Sequence, residues 1–374
     1  MNTDDYSDVK TSKYQYAILS NGLQNNGVYG FCSHPKYCGN AVTITGRGDI
    51  GHCVYRENAF SAIIRLLVCQ PRKLINSKFI SEYLESTKPF VFESTGVPQL
   101  TVPQIKNTLI PLPPFAEQNR IAEALSDIDE LISSLEKLIA KKKAIKQGAM
   151  QQLLTGKIRL PGFSDKWNEG IFGELFDILS NNAYTRDQHT TEGKIKNIHY
   201  GDILTKYGAI LDGQSESIPF LSQELGQKRR PESQYIHSGD IIIADTAEDE
   251  TVGKAVELIN VNSIILSGQH TYFCHPKIHF APMFLGYYIN SSSFHNQIIP
   301  LITGTKVSSI NKASLNTLTV KYPGIEEQAA IAQLLFTMDW EIEDMGKKLT
   351  KTKQVKQGMM QQLLTGRIRL QGRF

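Results

Sequence analysis

Two stretches 210 residues apart decide the fold: KQGAMQQLLTG at residues 146–156 and KQGMMQQLLTG at residues 356–366 agree at ten of eleven positions. The alignment extends upstream without a gap. Between residues 113–162 and 323–372, 25 of the 50 aligned pairs are identical. A match of this length and register indicates an internal duplication.

The duplicated stretch has the pattern of a long helix. Prolines precede its first turn, and Gly156 and Gly366 follow its last apolar residues, where helices commonly end. Apolar residues recur in steps of four and three, which is the a/d pattern of a coiled coil. We predict that the two copies pair antiparallel within one chain through a helix-pair seam of Ile121, Leu125, Ile128, Ile132, Leu135, Ile139, Ile331, Leu335, Met338, Ile342, Met345 and Leu349.

The regions before each helix predict two related α+β domains. Short β-type runs such as AVTIT (41–45), AIIRLLVC (62–69), DIIIAD (240–245) and SIILSG (263–268) are separated by turn signals. FISEYLES (79–86) and FLGYYINSSSF (284–294) predict one helical stretch in each domain. The fold class is therefore α+β, with two related domains joined by two long antiparallel helices that form an intramolecular coiled coil. The predicted boundaries are 1–111, 112–163, 164–320 and 321–374.

Composition places the chain among cytoplasmic proteins with more than one domain. The 374 residues carry a net charge of +3 and are 41% hydrophobic, and no apolar run approaches the 18 residues of a membrane span. The N-terminal residues 1–10 lack the basic and apolar regions of a signal peptide. Five cysteines without regular spacing favour a reducing compartment.

The sequence holds only weak signals for chemistry of its own. GRGDIG (46–51) matches GxGxxG, but the following residues predict strands and not the helix that a dinucleotide site needs. Asp187 with the triplet 192–194 faintly resembles a D…ExK nuclease site. The cluster of Cys32, His34, Cys38, His52 and Cys53 lacks a CxxC pair. We therefore predict no catalytic residues, no bound metal and no cofactor, which favours a binding or scaffolding role.

Local basic residues, and Thr185 beside one of them, are the candidates for contact with nucleic acid. Residues 166–320 carry 12 basic and 16 acidic residues, so a DNA-binding surface there must be confined to a few loops. Lys and Arg suit phosphate contacts, and Arg also reads base edges. The candidates are Lys36, Arg47 and Arg56 in the first domain, and Thr185, Arg186, Lys228, Arg229, Arg230 and Lys306 in the second.

The layout resembles the DNA-specificity (S) subunit of type I restriction-modification systems. The resemblance covers nearly the whole chain and rests on the duplicated PxxxEQxxIAxxL and LLTGxIRL segments, on IHYGDI (198–203) and on SGDIIIADTAEDETVGKA (238–255). It implies two target recognition domains, each reading one half of a bipartite site in double-stranded DNA. It also implies that the helices set the separation of the half-sites and dock two methyltransferase subunits, which nuclease/translocase subunits then join.

The chain departs from this pattern at the start of its first domain. Residues 164–203 of the second domain have no counterpart before NNGVYG (25–30), so about 40 residues lack a match. Two other interpretations stay open at the level of the sequence. One is a non-catalytic coiled-coil scaffold with paired ligand-binding domains, and the other is a restriction enzyme that uses its own D…ExK site.

Overall fold

The computed structural model describes residues 5–72, 74–90, 98–228, 230–304 and 307–370. The chain forms two compact units: unit 1 contains residues 1–137 and 346–374, and unit 2 contains residues 138–345. Each unit thus holds one α+β domain together with half of each long helix. No helix of the described part is long and apolar enough to cross a membrane.

In the residues of unit 1 that the structure describes, two three-stranded sheets and two shorter α-helices precede the first long helix. Its strands are β1 (Tyr16–Leu19), β2 (Val28–Cys32), β3 (Ala41–Thr45), β4 (Cys53–Arg56), β5 (Phe60–Ala62) and β6 (Leu66–Cys69). Its helices are α1 (Ser77–Thr87), α2 (Val102–Lys106) and the first part of α3 (Phe115–Leu153). One sheet has the order β2-β1-β5, with β1 and β5 parallel, and the other is the antiparallel sheet β4-β3-β6.

The α+β domain of unit 2 begins with two strands, β7 (Asn168–Ile171) and β8 (Phe176–Leu179), that have no counterpart in the described part of unit 1. The further strands of unit 2 are β9 (His189–Thr190), β10 (Lys196–Ile198), β11 (Ile210–Asp212), β12 (Phe220–Leu221), β13 (Ile241–Ala244), β14 (Thr246–Ala247), β15 (Ala255–Ile259), β16 (Ile265–Ser267), β17 (Thr271–Pro276), β18 (Ser308–Ser309) and β19 (Thr319–Tyr322). Its helices are α4 (Phe172–Leu175), α5 (Tyr200–Thr205), α6 (Gln223–Gly226), α7 (Phe284–Ile289), α8 (Ser292–Ile298), α9 (Lys312–Asn316) and α10 (Ile325–Met359), which starts here.

The two α+β domains share their central topology. In unit 2, β13 lies between β15 and β17 with both neighbours antiparallel, as β3 lies between β4 and β6 in unit 1. Likewise β10 pairs in parallel with β16 and antiparallel with β12, as β1 does with β5 and β2. Unit 2 extends its main sheet at both ends, giving the order β11-β15-β13-β17-β8.

The predicted strands and helices are confirmed, with two differences. AIIRLLVC divides between β5 and β6, because Arg65 takes a positive φ of 75° and turns the chain between them. FLGYYINSSSF forms two helices, α7 and α8, because Asn290 leaves helical geometry and its side-chain amide bonds to Gly286 O and Ala255 O (both 2.7 Å).

The long helices pair antiparallel, as predicted. In unit 1, Glu136 meets Lys353, Asp129 meets Lys356 and Glu117 meets Arg369, so residue numbers fall on one helix as they rise on the other. Unit 2 shows the same trend. After α10 the last turn, Met360–Leu364, widens to a π-helix, and both copies end at a glycine of positive φ, 69° at Gly156 and 72° at Gly366.

Candidate nucleic-acid interface and its support

The seam residues lie on the covered side of the helices. All twelve predicted positions are buried or half-buried. Ile121 and Leu125 belong to a core cluster of unit 1 that also contains Leu363 and Leu364. Ile331 and Leu335 belong to the main core cluster of unit 2, with Leu153 and Leu154. Each domain therefore packs directly on its half of the helix pair. This packing holds the surface of the domain in a fixed position on that half.

A carboxylate and a guanidinium join the helix ends in the same way in both units. Arg369 donates to both oxygens of Glu117, with Nη2 2.7 Å from Oε2, and Arg159 forms the equivalent fork with Glu327. The arginine lowers the pKa of the Glu117 carboxyl. The duplicated EQ and IRL motifs thus have a structural role: the last residues after one helix are tied to the first turn of the other.

A glutamine beside each of these glutamates ties the helix to its domain. Gln328 accepts a hydrogen bond from Ala281 N (3.0 Å) and donates to Pro323 O (2.8 Å). Gln118 accepts from Asn76 N (2.9 Å) and donates to Pro113 O (2.8 Å). Both side chains are almost fully buried. These contacts hold each domain at a set angle to its helix, and the sequence signal for them was the repeated PxxxEQ.

The second domain presents a polar face where β10 ends and where β16 turns into β17. The ring of His199 lies 4.5 Å from that of Tyr200, and Tyr200 lies 5.3 Å from His270, measured between ring centroids. His270 is exposed, Tyr200 is half-buried and His199 is buried. We call His199, Tyr200, His270 and Arg186 the polar face. Sequence reasoning singled out only Arg186, although IHYGDI contained two of the others.

Buried polar groups hold this face in place. Asp202, 1% exposed, accepts from Arg186 (3.0 Å) and Lys206 (2.9 Å). Asn197 is fully buried and bonds to Asn182 (2.8 Å) and to His189 (2.9 Å). A satisfied network of this kind fixes side-chain positions, as reading base edges requires.

Burial sets the protonation of two histidines, His199 of the polar face and its neighbour His189. It lowers the pKa of His189 and of His199 below the ordinary value, and Arg186 lowers that of His199 further. Both rings are therefore largely neutral at pH 7, so each offers one hydrogen-bond donor and one acceptor. Arg186, whose side chain is 56% exposed, supplies positive charge at the edge. Such a surface suits a nucleic-acid groove, with a cation for phosphate and neutral groups for bases.

The other candidates of the second domain, four basic residues and Thr185, fall into three groups. Thr185 and Lys228 are exposed. Arg230 is half-buried and donates within its own domain, to Tyr184 Oη (2.8 Å), Leu225 O (2.7 Å) and Lys228 O (2.8 Å), so most of its donors are occupied. Arg229 and Lys306 lie outside the described residues.

The candidates of the first domain are also unequal. Arg56 donates to Thr43 Oγ1 (2.9 Å) and Asn26 O (3.0 Å), and burial lowers its pKa to about 10, so it supports the sheet. Lys36 lies 5.7 Å from the centre of the Tyr37 ring. Arg47 is half-buried, and its Nε has no hydrogen-bond partner among the described residues. Among the described residues, no recorded hydrogen bond, ion pair or cation–π contact joins these three side chains.

The weak motifs resolve into ordinary local structure. GRGDIG forms the turn between antiparallel strands β3 and β4, with Gly48 and Gly51 at positive φ. Glu192 and Lys194 lie in an exposed loop between β9 and β10. Within the ranges that the structure describes, no group of three or more His, Cys, Asp or Glu side chains is placed to hold a metal ion.

Comparison with known proteins identifies the family. Residues 2–147 and 164–354 match the family model described as the type I restriction modification DNA specificity domain. Because these ranges make up most of the chain, the chain belongs to this family. The two matched ranges correspond to the two α+β domains, each followed by its long helix.

Relatives and solved structures agree with this assignment. The chain is 27% identical over 321 residues to the MjaVIII type I restriction enzyme specificity subunit of Methanocaldococcus jannaschii, covering 80% of this chain and 72% of that protein. It is 27% identical over 277 residues to the putative MjaX specificity subunit of the same organism, covering 71% and 61%. The fold is that of the S subunit from M. genitalium (TM-score 0.59, 14% identity, 97% and 91% covered). A chain from a structure of a type I R-M system gives a TM-score of 0.56 at 16% identity, covering 96% and 94%.

Proposed function

We propose that this chain is the DNA-recognition subunit of a type I restriction-modification complex and reads a bipartite site in double-stranded DNA. The observation that carries the proposal is the duplication itself: two α+β domains of the same strand order, each packed on one half of an antiparallel helix pair. Residues 1–111 and 164–320 each read one half-site, and the helices of residues 112–163 and 321–374 set the separation. DNA has local two-fold symmetry, which suits two like modules.

The chain acts without catalysis of its own, in the cytoplasm. Methylation and cleavage belong to two methyltransferase subunits and to nuclease/translocase subunits that assemble on the helices. Exposed apolar side chains on the long helices support such docking, above all Trp340, which is 61% exposed. The five free cysteines support a reducing compartment.

The polar face is proposed as the reading surface of the second domain. Replacing Arg186 with Ala removes a cation and leaves Asp202 with Lys206 as its remaining ion-pair partner. We expect binding of the second half-site to weaken by about 1–3 kcal/mol if the guanidinium contacts a base edge. The matched control is Lys277→Ala, because Lys277 follows the opposite end of β17 and pairs with Asp177 (3.3 Å).

A domain graft tests the function as a whole. The chain is reconstituted with its methyltransferase subunits, and the methylated sequence is mapped before and after residues 164–320 are exchanged with those of another specificity subunit. We expect one half-site to change while the other half-site and the spacing stay the same. An unchanged methylation pattern, or cleavage of DNA by the chain alone, would contradict the proposal.

A further inference from the structure

A lysine at the border of the polar face shares a buried carboxylate with Arg186. Asp202, in α5, is 1% exposed, and its Oδ1 lies 3.0 Å from Arg186 Nη2 and 2.9 Å from Lys206 Nζ. The two cationic nitrogens are therefore no farther apart than the sum of these distances. Because one carboxylate neutralises only one of the two cations, the three side chains together carry one net positive charge.

The end of α5 anchors Lys206 to the core of the domain. The backbone N–H of Lys206 donates to Asp202 O (2.8 Å). Ile203 and Tyr207, which lie near it in the chain, belong to a core cluster of unit 2 and are 0% and 5% exposed. The side chain of Lys206 is nevertheless 55% exposed. Lys206 therefore combines a fixed backbone position with a side chain that stays open to solvent.

Arg186 reaches the same carboxylate across a glycine. A Cβ added to Gly201 would lie 2.9 Å from Arg186 Nη2, a separation at which the guanidinium would have to move. In the described part of the chain the guanidinium bonds through Nη2 alone, to Asp202. Its remaining N–H groups stay open to a planar acceptor such as a base edge.

Lys321 provides a contrast within the same unit. Its side chain is 54% exposed and lies 3.3 Å from Glu169, which is itself 58% exposed. One cation meets one carboxylate there, so the pair has no net charge. At Lys206 the carboxylate is buried and shared, and the neighbouring rings of His189 and His199 are largely neutral because burial lowers the pKa of each. The excess positive charge of this group is thus left for an anion from outside.

We propose that Lys206 binds one phosphate of the DNA backbone beside the polar face, and that Asp202 is the positioning residue that holds Lys206 and Arg186 side by side. An ammonium is a compact charge that suits a phosphate, whereas a planar guanidinium suits the edge of a base. The inference rests on the proposed reading of DNA by this domain. It gives two neighbouring cations different tasks: Lys206 adds affinity for any sequence, and Arg186 adds discrimination.

The salt dependence of DNA binding tests this assignment. The complex of the chain with its methyltransferase subunits is titrated into two fluorescent duplexes, one with the methylated site and one with its second half-site scrambled. Binding is measured between about 0.05 and 0.3 M NaCl, because each neutralised phosphate contributes about 0.9 to the slope of log K against log salt. Lys206→Ala should reduce the slope by about 0.9 on both duplexes and weaken both about fivefold at roughly 0.1 M NaCl. Lys206→Arg keeps the charge and should keep the slope.

Two further variants make the test specific. Lys321→Ala is the matched control, because it removes one positive charge from a side chain of nearly the same exposure, and it should leave the slope unchanged. Gly201→Ala should give the converse of Lys206→Ala. It displaces Arg186 without changing any charge, so the slope should stay while the preference for the intact site falls about tenfold.

The possible outcomes separate this inference from the proposed function. An unchanged slope for Lys206→Ala, or an equal reduction for Lys321→Ala, would overturn the inference, because Lys206 would then be an ordinary structural ion pair. A loss confined to the duplex with the intact half-site would also overturn it, since Lys206 would then contact a base. Failure of the proposed function has another signature: the parent complex would bind the two duplexes equally, and the slope would still decide whether Lys206 meets a phosphate.

Discussion

At the helix ends, units 1 and 2 use the same side chains in the same way, whereas their α+β domains share strand order and little else. Glu117 with Arg369 repeats Glu327 with Arg159, and Gln118 repeats Gln328. The network around Asp202 and Asn197 in unit 2 has no matching set in the described part of unit 1. Residues of the helix pair must pack in the seam and also hold the two domains, so few substitutions are compatible with both roles. A domain surface has no such double role, so its polar groups can change.

The largest loss of stability should come from substituting the seam residues that are buried to the same extent in both units. Leu125 and Leu335 occupy equivalent repeat positions, and both are 0% exposed. Leu125→Ala and Leu335→Ala should each lower the free energy of unfolding by about 2–5 kcal/mol. The control is Leu131→Ala, since Leu131 is 47% exposed. Chemical denaturation measures the change, and an effect on only one copy would show that the units are held differently.

A second difference between the units is a buried carboxyl in unit 2. Glu257 is 1% exposed and accepts backbone hydrogen bonds from Met283 and from Gly286 (2.8 Å), yet burial raises its pKa to about 7. The folded state therefore holds this proton more tightly than the unfolded state. Stability should fall as the pH rises from about 4.5 to about 7, by up to ~3 kcal/mol at about 1.4 kcal/mol per unit.

Thermal unfolding between pH 4.5 and pH 7.5 measures this dependence. Glu257→Gln removes the titration and should flatten the decline of stability with pH in unit 2. The variant should be less stable overall, because the side-chain amide, with a single acceptor oxygen, faces two N–H donors. The exposed Glu192→Gln is the control. An unchanged slope in the Glu257 variant would assign the pH dependence to another group.

The next largest loss of stability should come from removing the glutamine contacts at the helix ends. Gln118→Ala and Gln328→Ala each leave a backbone N–H without its partner, that of half-buried Asn76 or of buried Ala281, which costs about 1–3 kcal/mol. Gln333→Ala, on the exposed side of α10, should change stability by less than about 0.5 kcal/mol. Equal losses in units 1 and 2 would support the same role for both glutamines, and a loss in neither would assign the repeated EQ motif to partner binding.

The sequence predicted those features whose pattern lies within one continuous segment. It did not predict contacts between residues that are far apart in the chain. Helix pairing was predictable because the seam repeats along one continuous segment, and the strands followed from local apolar runs and turns. The fork between Glu117 and Arg369 joins residues 252 positions apart in the chain, so no local pattern reports it. Apart from Arg186, the polar face was missed for the same reason: Tyr200 follows β10, and His270 lies in the turn before β17. Basic residues were favoured on charge, yet Arg56 and Arg230 bond within their own domains.

The smallest expected effect separates two lysines at the same repeat position. Lys146 pairs with Asp339 (2.6 Å), and Lys356 pairs with Asp129 (2.8 Å). The two lysines have different neighbours on the shorter helices. Lys146 lies 5.2 Å from the centre of the Tyr287 ring on α7, whereas Lys356 lies 4.0 Å from the Glu82 carboxylate on α1. One lysine thus adds an aromatic contact to its ion pair, and the other adds a second ionic contact.

Salt should reveal this difference. Lys146→Met and Lys356→Met should each cost about 0.2–1 kcal/mol at low ionic strength, the usual range for partly exposed ion pairs. Between about 0.05 and 0.5 M NaCl the Debye length shortens from more than 10 Å to less than 8 Å. The cost of Lys356→Met should therefore shrink markedly, because its ammonium contacts with Asp129 and Glu82 are both ionic. The cost of Lys146→Met should shrink less, since the Lys146 ammonium keeps its cation–π contact with the buried ring of Tyr287. Unfolding of both variants and the parent chain at the two salt concentrations measures the contrast, and parallel losses would mean that Tyr287 and Glu82 are interchangeable as neighbours of the repeated lysine.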